Sequence, residues 1–299
     1  MRAAVLLACD WGTTNLRAWT LDAAGTVVAH ADFPLGVSKL GPGEAQERFE
    51  KDVRPALNAQ GVPAILCGMV GSNLGWALAP YVDCPAGFAD LARAAIQVAP
   101  AVRIVPGLRC TGLTGAPDVM RGEETQLLGW LAQYPERQRG RHLICHPGTH
   151  AKWAVVEEGR VTRFVTAMTG EIFAVLTRHS ILKSEAPANN QGAFDAGLAA
   201  AADGSALVAR LFSARSRVAV GDAKADTTPS YLSGLLIGAE IASLPQLLGR
   251  KDEPIILLGD ATLCDLYRRA LERRGMTSES FDGGASAIAG LLALHRMGS

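Results

Sequence analysis

The sequence predicts an α/β fold built from two copies of one domain, and three observations carry that prediction. Residues 3–9 (AAVLLAC) form an unbroken apolar run that leads into a turn of glycine and hydroxyl residues, "DWGTTN". The same arrangement returns in "LICHPGTHAKW", where Gly148-Thr149 repeats Gly12-Thr13 at an offset of 136 residues. Segments with helical patterning follow each copy, most plainly "ATLCDLYRRALERRG". Unbroken apolar runs read as strands buried on both faces, which occur in sheets covered by helices. Two copies at a long period imply two similar domains, because solenoid repeats are shorter and more numerous.

Taken in order, residues 3–9 are the first buried strand. "NLRAWTLDAAGTVVAHADF" adds two more, one with Leu16 and Ala18 and one centred on Val27 and Val28, joined by the turn Asp22–Gly25. Three antiparallel strands therefore open the chain. Residues 43–60, rich in Glu and Lys, read as an amphipathic helix, and "PAILCGMVGSNLGW" as a buried strand running into a glycine-rich loop. The polar stretch "AQYPERQRGR" marks the boundary, dividing the chain into domains at 1–137 and 138–299. The second copy has a strand, the Gly-Thr turn, an alternating strand, the turn Glu158-Gly159 and a third strand. Trp19 and Trp153 fall in the two second strands, out of register with each other. "SGLLIGAEIASLPQLLGR" is helical, with Pro245 kinking it or ending its first part. "PIILLGD" is a strand, and "ATLCDLYRRALERRG" a helix with a glycine stop. "GGASAIAGLLALHRM" is a closing helix, left open to pack back toward the first domain.

At 299 residues the chain is long enough for two domains with real cores. Lys plus Arg equals Asp plus Glu at 29 each, so no broad field invites nucleic acid or an acidic membrane, and neither is expected as a partner. The six cysteines lie far apart with no C-x-x-C pair, which reads as reduced thiols in a cytoplasmic protein. "MRAAVLLAC" superficially matches a lipoprotein leader, but its apolar run is short and its basic region is a single Arg. The strand reading is taken instead. No segment reaches the ~18 uninterrupted apolar residues of a membrane span.

The two turns carry the chemistry. A polyphosphate needs bare backbone N–H groups and short hydroxyls, which Gly12, Thr13, Thr14 and Asn15 supply. A carboxylate such as Asp10 can hold hydrated Mg²⁺ directly or through water. Alone, D-x-G-T-T suits a plain hairpin equally well; its echo at Gly148-Thr149 favours phosphate. His146 stands where Asp10 stands in the first copy, so the carboxylate occurs once, as placing one metal requires. His142, His146 and His150 recur every fourth residue, but the strand between the first two would hold them ~13 Å apart, too far for one zinc. His150, inside the turn, can instead donate to a phosphate.

This duplicated arrangement resembles the sugar-kinase, heat-shock and actin superfamily, with two ribonuclease-H-like domains and an interdomain cleft. "DWGTTNLR" is similar to its first phosphate motif, "PGTHAKW" to its second, and "IILLGDATLCDLY" to its adenosine motif, which places Gly259 and Asp260 beside the nucleotide. More narrowly, "DWGTTNLRAW", "GMVGSNLGW", "VMRGEETQLLG", "PGTHAKW", "MTGE" and "SGLLIGAE" together resemble the 2-dehydro-3-deoxygalactonokinase family, in order and over almost the whole chain. That resemblance implies phosphorylation of the 6-hydroxyl of 2-dehydro-3-deoxy-D-galactonate, with ATP and Mg²⁺ as cofactors, in galactonate catabolism.

Glycerol- and xylulose-type kinases of the superfamily carry a Gly-Asp-Gln segment whose Asp is the base. The analogy puts that role on Glu123, with Glu124 as the alternative. The plainer reading is that both acids begin a helix, where the dipole favours them. A sugar acid needs a cation for its carboxylate, and Arg17 and Arg121 are the candidates, unless either serves in an ordinary ion pair. Ser72, Asn73 and Trp76 would line the substrate side, two as hydroxyl partners and one as an apolar wall. Lys152 would stabilise phosphate charge or point to solvent. Two other functions stay open: a kinase for another small sugar acid or ketose, and a nucleotide-dependent sensor without enzymatic activity. A homodimer is one arrangement the sequence leaves open, and the preference at C4 of the sugar acid is not written in it.

Overall fold

A computed structural model describes residues 3–298; Met1, Ser299 and the single basic residue of the leader-like stretch, Arg2, lie outside the described residues. The chain opens with the antiparallel strands β1 (Leu6–Trp11), β2 (Leu16–Leu21) and β3 (Val27–Phe33). β4 (Ala64–Gly68) returns parallel to β1. β5 (Tyr81–Asp83), β6 (Ile96–Ala99), β7 (Val102–Ile104), β8 (Gly107–Thr111) and β9 (Pro117–Met120) follow. The first large sheet has the order β3-β2-β1-β4-β7-β6, and β5-β8-β9 form a small sheet of their own. The remaining strands, β10 (Arg141–His146), β11 (Ala151–Glu157), β12 (Arg160–Ala167), β13 (Ile255–Gly259) and β14 (Ser278–Asp282), form a sheet ordered β12-β11-β10-β13-β14. Each large sheet thus has three consecutive strands with a parallel fourth beside the first, as the duplication predicts. The central strands β1, β4 and β13 are almost wholly buried, whereas β3 at an edge alternates.

The chain folds as two compact units. One comprises Met1–Arg141, Val156–Arg163 and Asp282–Ser299; the other comprises His142–Val155 and Phe164–Phe281. The first unit thus runs to Arg141, the end of the polar stretch and four residues past the boundary expected at 137, and it recovers the closing helix, Gly283–Met297, from the C-terminus. That helix lies against the helix Glu123–Gln133 at backbone distance. A Cβ on Gly129 would strike the Ser286 carbonyl, and one on Gly290 the Thr125 carbonyl. The core of this unit gathers Leu7, Cys9, Trp11, Phe49, Val53 and Leu66. The second unit packs Leu143, Cys145, Trp153, Ile241, Leu257 and Tyr267.

Several elements differ from the sequence reading. The expected helix at 43–60 forms as Glu44–Arg48, a wider π-type turn Phe49–Val53 and Arg54–Ala56. Pro245 does not divide its helix, which runs unbroken from Thr228 to Leu247. The proline sits in the last turn; it leaves one ladder bond unmade, to the Ile241 carbonyl, but only two residues of helix follow it. The helices Thr169–His179 and Gln191–Ala200 and the three-stranded sheet carried no distinct signal in the sequence reading. Among the described residues, no helix is long and apolar enough to cross a membrane.

Candidate active site

In the first unit, the turn between β1 and β2 closes with the Gly12 N–H donating to the Asn15 carbonyl at 2.9 Å. Residues 36–38 hold it from behind: the N–H groups of Gly36, Val37 and Ser38 donate to the carbonyls of Thr14, Gly12 and Thr13, each at 3.1 Å. Residue 36 must be glycine, since a Cβ there would overlap the backbone of Thr13 and Thr14. Asp10, Gly12, Thr14, Asn15 and Arg17 line a cavity of about 560 Å³ together with Asp32, Phe33 and Pro34. Across the strands, Asp10 pairs with Arg17 and Arg17 with Asp32. Arg17 Nη2 donates to Asp10 Oδ2 at 2.5 Å. Burial works against the charge on Arg17, but the Asp10 carboxylate outweighs it and the guanidinium pKa is raised.

Two glycines bring the next candidates to the same end of the sheet. Gly68 closes β4 beside Trp11 with φ +89°, and a Cβ there would lie 2.8 Å from the Trp11 carbonyl and 3.3 Å from Asp10 Oδ1. Gly122, at φ +110°, stacks on it, so that a Cβ would meet the Gly68 Cα at 3.2 Å. Gly122 in turn is the N-cap of the Glu123–Gln133 helix, which starts with the two candidate bases. Their environments differ. Glu123 is half-buried, with Oε2 accepting the Arg121 N–H at 3.1 Å. Glu124 is fully buried and accepts the Gly122 N–H at 2.7 Å and the Thr125 hydroxyl at 3.0 Å. Burial pushes the Glu124 carboxyl up to about 8, with Glu123 adding to the rise and these hydrogen bonds opposing it.

Of the residues expected on the substrate side, Ser72 is buried in its own turn, donating to the Met69 carbonyl at 2.7 Å and accepting the Leu74 N–H at 3.2 Å. Asn73 is exposed. Trp76 packs on Phe49, ring centroids 5.4 Å apart, and so belongs partly to the core. Arg121 is 8% exposed, lies over the Tyr81 ring at 4.3 Å and donates through Nη2 to the Ala79 carbonyl at 2.8 Å. Its Nε and Nη1 are buried without a hydrogen-bond partner.

In the second unit, the Gly148–Thr149 turn is braced in a similar way. The Glu171 N–H donates to the Thr149 carbonyl at 2.9 Å, and a Cβ on Gly170 would meet the Gly148 carbonyl at 2.5 Å. His150 Nε2 is 2.5 Å from Glu171 Oε2. Lys152 does not point to solvent: it is buried, and its ammonium donates to the His150 carbonyl at 2.8 Å. Gly259 ends β13, and Asp260 caps the helix Ala261–Glu272, accepting the N–H groups of Thr262 at 2.9 Å and Leu263 at 3.1 Å. A mostly apolar cavity of about 190 Å³ adjoins the turn, lined among others by Gly148, Thr169, Leu236, Ile237, Leu263 and Tyr267.

Relatives decide the family. The profile of the 2-keto-3-deoxy-galactonokinase family matches residues 10–294. An Escherichia coli (strain K12) protein, 2-dehydro-3-deoxygalactonokinase, is 34% identical over 95% of either chain. The chain belongs to the 2-keto-3-deoxy-galactonokinase family. A crystal structure of a candidate 2-dehydro-3-deoxygalactonokinase from Sinorhizobium meliloti superposes with a TM-score of 0.85 at 36% identity, covering 97% of this chain and 98% of that one. An activator of 2-hydroxyisocaproyl-CoA dehydratase from Clostridium difficile shares the fold at a TM-score of 0.53 and 14% identity, over 98% of this chain and 95% of that one. The architecture is the duplicated ribonuclease-H-like α/β fold of the sugar-kinase and actin superfamily.

Within this family member, the structure gathers Asp10, Arg17 and the first turn around one cavity, and the second turn beside another. Sequence reasoning passed over Asp32, Glu171, Glu240 and Tyr267. Asp32 had a readable signal, since the antiparallel register places it opposite Arg17. Glu240 had none: it is the last residue of "SGLLIGAE", and only the fold shows what its carboxylate meets.

Proposed function

We propose that this chain transfers the γ-phosphoryl group of ATP to the 6-hydroxyl of 2-dehydro-3-deoxy-D-galactonate, giving the 6-phosphate in galactonate catabolism in the cytoplasm. The match to the kinase family from residue 10 to residue 294 carries this reading, and the substrate follows from the name of the Escherichia coli relative. The dehydratase activator that shares the fold was solved with bound ADPNP, which supports nucleotide binding. Six free cysteines fit a reducing compartment.

Each side chain then has a task. Gly12, Thr13, Thr14 and Asn15, with carbonyls tied back by residues 36–38, offer amides and hydroxyls to phosphate oxygens. Gly148 and Thr149 do so from the second turn, where His150 adds an imidazole and Lys152, its ammonium on the His150 carbonyl, adds positive charge. The apolar cavity takes the nucleotide base; Gly259 leaves the end of β13 bare next to Pro147 of the second turn, and Asp260 acts by orienting the helix that carries Leu263 and Tyr267. Two carboxylates, Asp10 and Asp32, face the cavity at the first turn, which suits hydrated Mg²⁺, commonly held by one or two carboxylates plus substrate phosphates. Bound at Asp10, the ion would neutralise charge on the transferring phosphate. Arg17, which lines the open cavity, takes the sugar-acid carboxylate; Arg121, buried against Tyr81 and Ala79, braces the loop bearing Ser72, Asn73 and Trp76. Glu123 accepts the proton of the 6-hydroxyl as its oxygen bonds to phosphorus and the bond to ADP breaks. Its accessible carboxylate fits this role better than the enclosed Glu124.

A coupled ADP-release assay over a panel of sugar acids, C4 epimers and ketoses, with the product checked by mass spectrometry, tests the reading. ADP and a 6-phosphorylated sugar acid are expected from 2-dehydro-3-deoxy-D-galactonate. A different acceptor with the highest kcat/KM, or nucleotide binding with no phosphorylated product, would overturn it.

A further inference from the structure

Glu240 is a buried carboxylate in the second unit, 6% exposed, with no part in the chemistry above. Its partners are three neutral donors on three different elements. Trp153 Nε1, on β11 just after the Gly148–Thr149 turn, donates to Oε1 at 2.6 Å. The Tyr267 hydroxyl, on the helix Ala261–Glu272, donates to Oε2 at 2.9 Å. The Thr169 hydroxyl, at the start of the helix Thr169–His179, donates to the same oxygen. Burying a carboxylate without a cation is costly, and an apolar residue of similar volume would serve stability as well or better. What the carboxylate supplies is a common anchor for three elements.

The two helices among those elements, with the helix of Glu240 itself, frame one cavity. Thr169 and Tyr267 line its wall, Leu236 and Ile237 come from the helix of Glu240 itself, and Gly148 belongs to the adjoining turn. The residues just after Thr169 brace that turn, through Gly170 and the Glu171 N–H. We propose that Glu240 is a positioning residue for nucleotide: by holding Thr169 and Tyr267 it sets the width of the base cavity and the seat of the second turn. The proposal rests on the reading of that cavity as the base site. Loss of the carboxylate therefore weakens nucleotide binding and leaves sugar-acid binding alone.

The test compares Glu240→Gln, Thr169→Val, Thr169→Ser and Tyr267→Phe in the full chain. KM is measured separately for ATP and for the sugar acid, ADP binding by calorimetry with Mg²⁺, and the melting temperature for each variant. The Gln amide keeps the volume but turns an N–H₂ toward at least one donor, so the KM for ATP should rise about tenfold or more, with that for the sugar acid within about twofold. Thr169→Val and Tyr267→Phe should show smaller rises of the same kind, and Thr169→Ser should recover most of the loss. A lower melting temperature with both KM values unchanged, or both raised equally, would make Glu240 merely structural and overturn the proposal. Should Glu240→Gln fail to fold, the Thr169 and Tyr267 variants decide by the same split. Wild-type protein that binds no ADP would overturn the functional reading as well, whereas wild-type binding that Glu240→Gln matches overturns this inference alone.

Discussion

Glu123 and Glu124 are neighbours in sequence and opposites in surroundings. The first is half-buried at the start of its helix; the second is sealed, with both oxygens engaged. Glu123→Gln should nearly abolish turnover while calorimetry still detects nucleotide, and retained near-normal turnover would move the proton-accepting role to Glu124 or Asp10. Glu124 should show itself in stability instead. Its folded pKa of about 8 lies above the ordinary 4.5, so the folded state holds a proton that the unfolded chain releases between those values. Its contribution is complete below pH ~4.5 and is lost as pH rises through ~8, a change of the order of a few kcal/mol. The melting temperature should fall across that window, and Glu124→Gln should flatten the decline; an unchanged slope would rule this group out as its source. The sequence showed two acids at a helix start. Which one was enclosed depended on the stacking of Gly122 on Gly68, and that contact lies between segments distant in the chain.

The elements meet through glycine where the backbone must come close. The helices Glu123–Gln133 and Gly283–Met297 touch at Gly129 and Gly290. In an exposed helix, exchanging glycine for alanine helps by ~0.5–1 kcal/mol. Here the added methyl would strike a carbonyl oxygen, so Gly290→Ala and Gly129→Ala should each destabilise, by at least the ~1–3 kcal/mol typical of overpacking. Thermal or urea unfolding measures this, and a neutral or stabilising result would mean that the helices can part. The same logic explains much of "SGLLIGAE". A Cβ on Gly234 would strike the Phe194 carbonyl, and one on Gly197 the Tyr231 carbonyl, joining the helices Gln191–Ala200 and Thr228–Leu247. A motif that reads as a family signature is thus in part a packing requirement. The buried central strands were legible, because continuous apolar runs mark them directly, whereas the short strands β5 to β9 and β14 were not. The 43–60 segment was legible as helical but not in its π-type turn, and Pro245 weighed more heavily in the sequence than in the last turn it occupies.

At the scale of the whole molecule, the two large sheets share the order of four strands, and each carries a Gly-Thr turn braced by a glycine from a later segment, Gly36 in one unit and Gly170 in the other. A nucleotide that binds only the folded chain must stabilise it. Mg²⁺ and ADP at about 100-fold excess over Kd should contribute about 2.7 kcal/mol, visible as a melting temperature several degrees higher. No shift at saturating nucleotide would contradict the kinase reading. By itself, the sequence determined the α/β class, the duplication, the two turns and the family, because each is written in local patterns of apolar runs, glycine and hydroxyl residues. Only the tertiary structure decided that the closing helix joins the first unit, that Arg17 rests on Asp10, that Lys152 is buried and that Glu240 gathers three donors. Those outcomes come from contacts between residues far apart in the chain, and side-chain partners at such separations follow from strand register and helix packing, not from local pattern.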